Sequence, residues 1–162
     1  MYGAGAKKLA RILGRAENAG AKIKKDFYKA HPAIEELIKD LVKTYRARGY
    51  LLSLDGRPLY SRGENKILNQ LLQNAAAIIF KKWMVLCDEV KTEFIEKYKV
   101  EHIGQMIAYH DEIQFEIKSD EAIANQWGAV VCQASVAIGV EMKILVPIAA
   151  EYKVGHDWAQ CH

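Results

Sequence analysis

The sequence predicts an α+β fold in which a small antiparallel sheet packs on a long helix, and three observations carry that reading. Over residues 64–98, the apolar side chains Leu68, Leu71, Leu72, Ala75, Ile79, Trp83, Leu86 and Val90 recur at a spacing of three to four, the mark of a helix with one apolar face. Ile113, Phe115 and Ile117 alternate with Gln114 and Glu116, the period of a strand with one buried side. Asp55-Gly56 lies between residues 50–54 and 57–61, and Asp-Gly is a strong hairpin signal because glycine takes a positive φ at no steric cost.

In chain order, the first 48 residues read as three short helices. Residues 7–13 end at Gly14, residues 16–30 end before Pro32, and Pro32 opens a helix running to about Arg48 with Gly49 just past its end. The Asp-Gly hairpin and the long helix follow. Met106-Ile107-Ala108-Tyr109 then has the composition of a strand, and residues 113–117 form its partner. Ser119 and Asp120 cap a helix to about Gly139. Residues 141–148 read as a final strand, followed by a tail to His162.

His110-Asp111-Glu112 falls at the tip of the second hairpin, so two carboxylates and an imidazole meet at a corner. A solvated turn collects polar residues whatever it does. Acids at a rigid tip can also hold a hard cation such as Mg²⁺, which takes one or two carboxylates and completes its shell with water and substrate phosphates. Successive strand residues point to opposite faces, so Asp111 and Glu112 share an ion only if the turn bends sharply, and a second carboxylate is needed from elsewhere. Asp88, Glu89, Glu93 and Glu96 ride on an amphipathic helix and Asp55 belongs to a turn, so the corner reads as half a site.

On the long helix, Asn65, Asn69 and Gln73 recur every fourth residue and form one stripe of amides. Such a stripe is either solvated or aimed at base edges, for which Asn and Gln are suited. The run from Gly3 to Lys8 lacks the third glycine and the preceding strand of a phosphate loop.

Composition bounds the function. The chain has 162 residues, 51% hydrophobic and 27% charged, as in an ordinary globular domain. Residues 129–140 are too short and too interrupted to span a membrane, and nothing at the amino terminus has a signal-peptide pattern. Cys87, Cys132 and Cys161 are odd in number and far apart, which points to a reducing compartment and a cytoplasmic location. Zinc through Cys161, His162 and His156 is disfavoured because no Cys-x-x-Cys pair exists. The net charge of +3 hides an asymmetry: residues 1–62 carry fourteen Lys and Arg against six acids, a balance of +8, and residues 63–162 carry nine against fourteen, a balance of −5. The first segment has the sign of a phosphate-backbone binder.

Taken in order, these pieces resemble the carboxy-terminal part of a family A DNA polymerase, the group of bacterial polymerase I and the replicative polymerases of short-tailed lytic phages. Tyr2-Gly3-Ala4-Gly5 is similar to the Tyr-Gly that closes the family's fingers motif, and Leu54-Asp55-Gly56-Arg57 to its palm hairpin. Asn69-x-x-x-Gln73 resembles its primer-template helix, and Tyr109-His110-Asp111-Glu112 its third motif. The ending Trp158-Ala159-Gln160-Cys161-His162 looks like the phage branch.

The resemblance implies residues 1–49 as part of the fingers and residues 50–162 as part of the palm. It implies Asp111 as a ligand of catalytic Mg²⁺, Glu112 as support for that metal site, and His110 at the primer terminus. It further implies Asn69 and Gln73 on the minor-groove side of the new pair, Arg57 and Arg62 as DNA-backbone contacts, Tyr2 beside the pocket for template base and dNTP, and His162 near the active site. The family's triphosphate-gripping Arg and Lys and its other catalytic aspartate would lie before Met1, so the expected partners are primer-template DNA, dNTP and an N-terminal polymerase portion from a split gene or a longer protein. Uncovered apolar surface and self-association would follow, with the host cytoplasm as the location of a phage enzyme. Two other function classes stay open: a non-catalytic DNA-binding or assembly module, and a metal-dependent nuclease built on the acids.

Overall fold

The structure is a computed structural model that describes residues 5–118 and 120–161. Its elements run α1 (Ala6–Ile12), α2 (Glu17–Ala30), α3 (Pro32–Arg48), β1 (Leu51–Leu52), β2 (Pro58–Leu59), a 3₁₀ turn (Glu64–Lys66), α4 (Ile67–Tyr98), β3 (Ile103–Tyr109), β4 (Glu112–Ile117), α5 (Glu121–Glu141) and α6 (Trp158–Cys161). This is the expected α+β class. Two compact units divide between Ala77 and Ile78, inside α4.

In the first unit, α1 and α2 pack closely because Gly20 has no side chain: a Cβ there would sit 3.0 Å from the backbone nitrogen of Ala10, which is 3% exposed. α3 begins at Pro32, whose missing N–H belongs to the unpaired first turn, and stops at Gly49, which takes the left-handed conformation at φ +79°. The hydroxyl of Tyr45 donates to the carbonyl of Ser61 at 2.9 Å, and the guanidinium of Arg46 grips Glu64 through two bonds of 2.6 and 2.7 Å. The Asp-Gly hairpin forms with Leu51 opposite Leu59 and Leu52 opposite Pro58. Its strands are shorter than expected because Pro58 has no N–H for the ladder and the backbone bond from Gly56 to Ser53 begins the turn early.

In the second unit, the end of α4, the β3–β4 hairpin and α5 enclose one core made of Cys87, Phe94, Val100, Ile103, Trp127, Val131 and Ala134. The Trp127 ring meets Phe94 and Phe115 edge to face, with centroids 5.2 and 5.3 Å apart. Ile113, Phe115 and Ile117 all pack on this cluster, so the period-2 pattern reports the buried face of β4. A buried aromatic of this kind removes about 150–250 Å² from water, which is worth roughly 4–6 kcal/mol as an upper bound. The indole N–H of Trp83 donates to the carbonyl of Val131 at 2.8 Å and ties α4 to α5. Asp120 caps α5 by accepting from the N–H of Ile123 at 2.9 Å.

Two expectations are corrected. The strand expected over residues 141–148 does not form: α5 continues to Glu141, the chain turns at Met142 and Lys143, and Leu145 is fully exposed. Pro147 cannot donate to a ladder, and among the described residues neither two-stranded sheet pairs with this segment. The membrane expectation also needs refining, because α5 is long and apolar enough by length and composition to cross a bilayer. Its apolar residues Ala124, Trp127, Val131, Ala134 and Ile138 are instead buried inside the unit, as in the central helix of a globular core.

Candidate nucleic-acid and metal site

The acidic corner is built by the hairpin that the alternating pattern predicts. β3 and β4 are antiparallel, Tyr109 faces Glu112, and the connection is His110-Asp111 alone. Two residues close such a turn only if the backbone reverses tightly, and His110 does so at φ +54°. Its ring stacks edge-on against Tyr109, 4.3 Å between centroids. Asp111 is exposed at the apex.

Strand parity decides where Glu112 points. Ile113, Phe115 and Ile117 face the core, so Glu112 and Gln114 share the other face, and the Gln114 amide donates to the Glu112 carboxylate at 2.7 Å. Gln114 is a partner for Glu112 that the i, i+2 spacing on a strand could have signalled in the sequence. A second feature had no sequence signal: the register slips between Gln105 and Ile107, leaving Met106 as a bulge. A bulge bends and twists the strand, and this one lies between the core-anchored Ile103 and the tip.

Asp111 offers hard, exposed oxygen donors, which suit a cation that keeps most of its water and phosphate ligands. Among the described residues no group of three or more His, Cys, Asp or Glu side chains gathers where a metal ion could sit. The carboxylates at the tip, Asp111 and the adjoining Glu112, are donors that suit part of a Mg²⁺ shell. His162 and Tyr2 lie outside the described residues.

In the first unit, Asn69 and Gln73 stand one turn apart on α4, with Gln73 exposed and Asn69 half-buried. Asn65 precedes the α-helix in the 3₁₀ turn. Next to them, the side-chain carbonyl oxygens of Gln70 and Asn74 are buried without a hydrogen-bond partner. Arg57 is 75% exposed but already paired: its Nε donates to Asp55 at 2.7 Å, and Ser53 bonds the same carboxylate. The Arg57 bond, followed by that from Ser53, holds the Asp55 carboxyl well below the usual carboxylate range. Arg62 is exposed beside the hairpin.

This set of elements, with its antiparallel hairpin, long helix α4 and second core helix α5, shares its fold with a solved polymerase domain. The solved POL domain of Pol1 from M. smegmatis, in complex with DNA primer-template and dNTP, has this fold: the TM-score is 0.70 at 22% identity over 85% of this chain and 25% of that one. The chain belongs to DNA polymerase family A, whose family model matches residues 1–160. Its relatives include the DNA-directed DNA polymerases of Enterobacteria phage T3 and Escherichia phage T7, each 30% identical across 100% of this chain and 25% of the relative. The corresponding polymerase of Escherichia phage Phieco32 is 30% identical over 99% of this chain and 26% of its own length. The chain thus spans about a quarter of the length of the curated relatives it matches.

Proposed function

We propose that this chain is the carboxy-terminal portion of a template-directed DNA polymerase, acting with an N-terminal portion to add nucleotides to a primer 3′-hydroxyl. The observation that carries this reading is the corner itself: an exposed Asp111 at the apex of a two-residue turn, on a hairpin anchored in an aromatic core, in a chain of this family. Residues 1–49 belong to the fingers and residues 50–162 to the palm.

Asp111 would hold Mg²⁺, with Glu112 supporting the site from the adjacent face. When bound, such an ion supplies charge stabilisation for phosphoryl transfer and lowers the pKa of the attacking hydroxyl. His110, whose ring lies edge-on against Tyr109, would touch the primer terminus. Asn69 and Gln73 read the minor-groove side of the new base pair, where acceptors are nearly sequence-independent and geometry rather than identity is tested. Arg57 and Arg62 contact phosphates, Tyr2 borders the template-base and dNTP pocket, and His162 approaches the active site. The location that fits is the cytoplasm, that of the host cell for a phage enzyme.

Val140, Leu145 and Val146 are 73%, 101% and 68% exposed, which supports a partner surface and, without that partner, self-association. Sedimentation at several concentrations measures this. The deciding experiment is single-turnover extension of a labelled primer by the chain combined with the amino-terminal region that its relatives carry. Extension should require both parts and Mg²⁺, and Asp111→Asn should slow it by several orders of magnitude, since a lost metal ligand removes several kcal/mol of transition-state stabilisation. Undiminished extension by Asp111→Asn would sink the assignment of the corner. The alternative of a non-catalytic DNA-binding module would show DNA affinity with no extension in any combination.

A further inference from the structure

The chain after α5 doubles back along that helix, and two glycines make this possible. A Cβ on Gly139 would lie 3.0 Å from Cγ1 of Ile148, and one on Gly128 would lie 2.6 Å from Cγ of the Tyr152 ring. Gly128 and Gly139 are about three helical turns apart and therefore on one face, spaced roughly 16 Å along the axis. Ile148 and Tyr152 are four residues apart, which in extended backbone puts them on the same side and roughly 13 Å apart. The two spacings match closely enough for the segment to run antiparallel to α5, with one side chain seated on each bare patch of helix.

Beyond this segment the tail is folded on itself. The N–H of Gln160 donates to Asp157 Oδ1 at 3.0 Å, and Gln160 Oε1 accepts from the N–H of His156 at 2.9 Å. Gly155 allows the return, since a Cβ there would come within 2.6 Å of Gln160 Cβ.

We propose that residues 148–152 are a strap that docks on Gly128 and Gly139 of α5 and thereby fixes the folded tail, residues 153–161, at one place on the second unit. Neither glycine is needed for the helix, which an alanine would favour by about 1 kcal/mol at an interior position. Their value lies in the absent Cβ. Gly128→Ala should therefore evict Tyr152 while leaving α5 intact.

Trypsin cleavage after Lys153 reports the docking without any DNA, so its outcome is independent of the polymerase reading. In the full chain, release of the 154–162 peptide, followed by mass spectrometry, should be several-fold faster for Gly128→Ala and for Gly139→Ala, with unchanged helix content. Tyr152→Ala alone should reproduce the release, and adding Gly128→Ala to it should give no further increase, because the clash then has no partner. Release at the rate of the unaltered chain in both Gly128→Ala and Tyr152→Ala would overturn the strap, and so would fully additive effects in the double variant. Should the glycine variants fail to fold, Ile148→Ala and Tyr152→Ala decide the matter by the same release rate.

Discussion

Glu112 accepts a hydrogen bond of 2.7 Å from the side-chain amide of Gln114, two residues further along the same strand. The bond lies on the face of β4 opposite Ile113 and Phe115, so the strand that buries the core also orients the acid. Asp111 instead sits in the two-residue turn, exposed at its apex. The two adjacent carboxylates are thus positioned by different means.

Removing the amide should loosen one acid and spare the other. Gln114→Leu keeps the volume and the strand while deleting the donor, and a single hydrogen bond of this kind is worth about 1 kcal/mol. Single-turnover extension by the reconstituted enzyme should fall by a few-fold, up to about ten-fold, far less than for Asp111→Asn. A loss as severe as that of Asp111→Asn would show that Gln114 does more than orient Glu112.

Gln73 is exposed on α4, so Gln73→Ala should leave folding intact and weaken extension moderately, through primer positioning. Cys132→Ser is the comparison. Cys132 is half-buried on α5, and its replacement should leave the chemical step unchanged. Equal effects of the two variants in the extension assay would remove Gln73 from the DNA-contacting set.

Duplex DNA should bind the chain weakly and with strong salt dependence. Residues 1–62 carry a balance of +8, and each phosphate contact releases counterions, giving a log–log slope of about −0.9 per contact. Fluorescence titrations between roughly 50 and 200 mM salt measure the slope. An affinity indifferent to salt would contradict the electrostatic assignment of the basic segment.

Cys87 is fully buried in the core, and burial first, with Cys132 second, pushes its thiol up to about 12. The folded state therefore keeps a proton that the unfolded chain surrenders from about pH 9 upward. Above that value the unfolded state binds fewer protons, so this contribution to stability is complete below about pH 9 and is lost as the pH climbs toward 12. Denaturant midpoints across that alkaline range should decline, and Cys87→Ala should flatten the decline. At pH 8, a thiol reagent should modify Cys87 only at the rate of unfolding.

Local chemistry determined much of this protein in advance. Pro32 and Gly49 bracket α3 because one lacks a donor where none is needed and the other accepts a positive φ. The Asp-Gly turn, the apolar spacing of α4 and the alternation along β4 are likewise properties of a few neighbouring residues, and each appears in the fold. Order along the chain was enough to place His110 and Asp111 at a tip with Glu112 beside them at the start of β4.

Tertiary structure decided what depends on partners distant in sequence. Residues 141–148 have the composition of a strand, but a strand exists only where another edge pairs with it, and the exposed Leu145 and Val146 mark its absence here. The bulge at Met106 arises from register between two strands, which neither strand encodes alone. Gly128 and Gly139 read as unremarkable helix positions until Tyr152 and Ile148 come to rest on them. Spacing along a chain reports periodicity and turns, which are short-range and steric, whereas pairing and close packing are set by whichever surfaces the fold brings together.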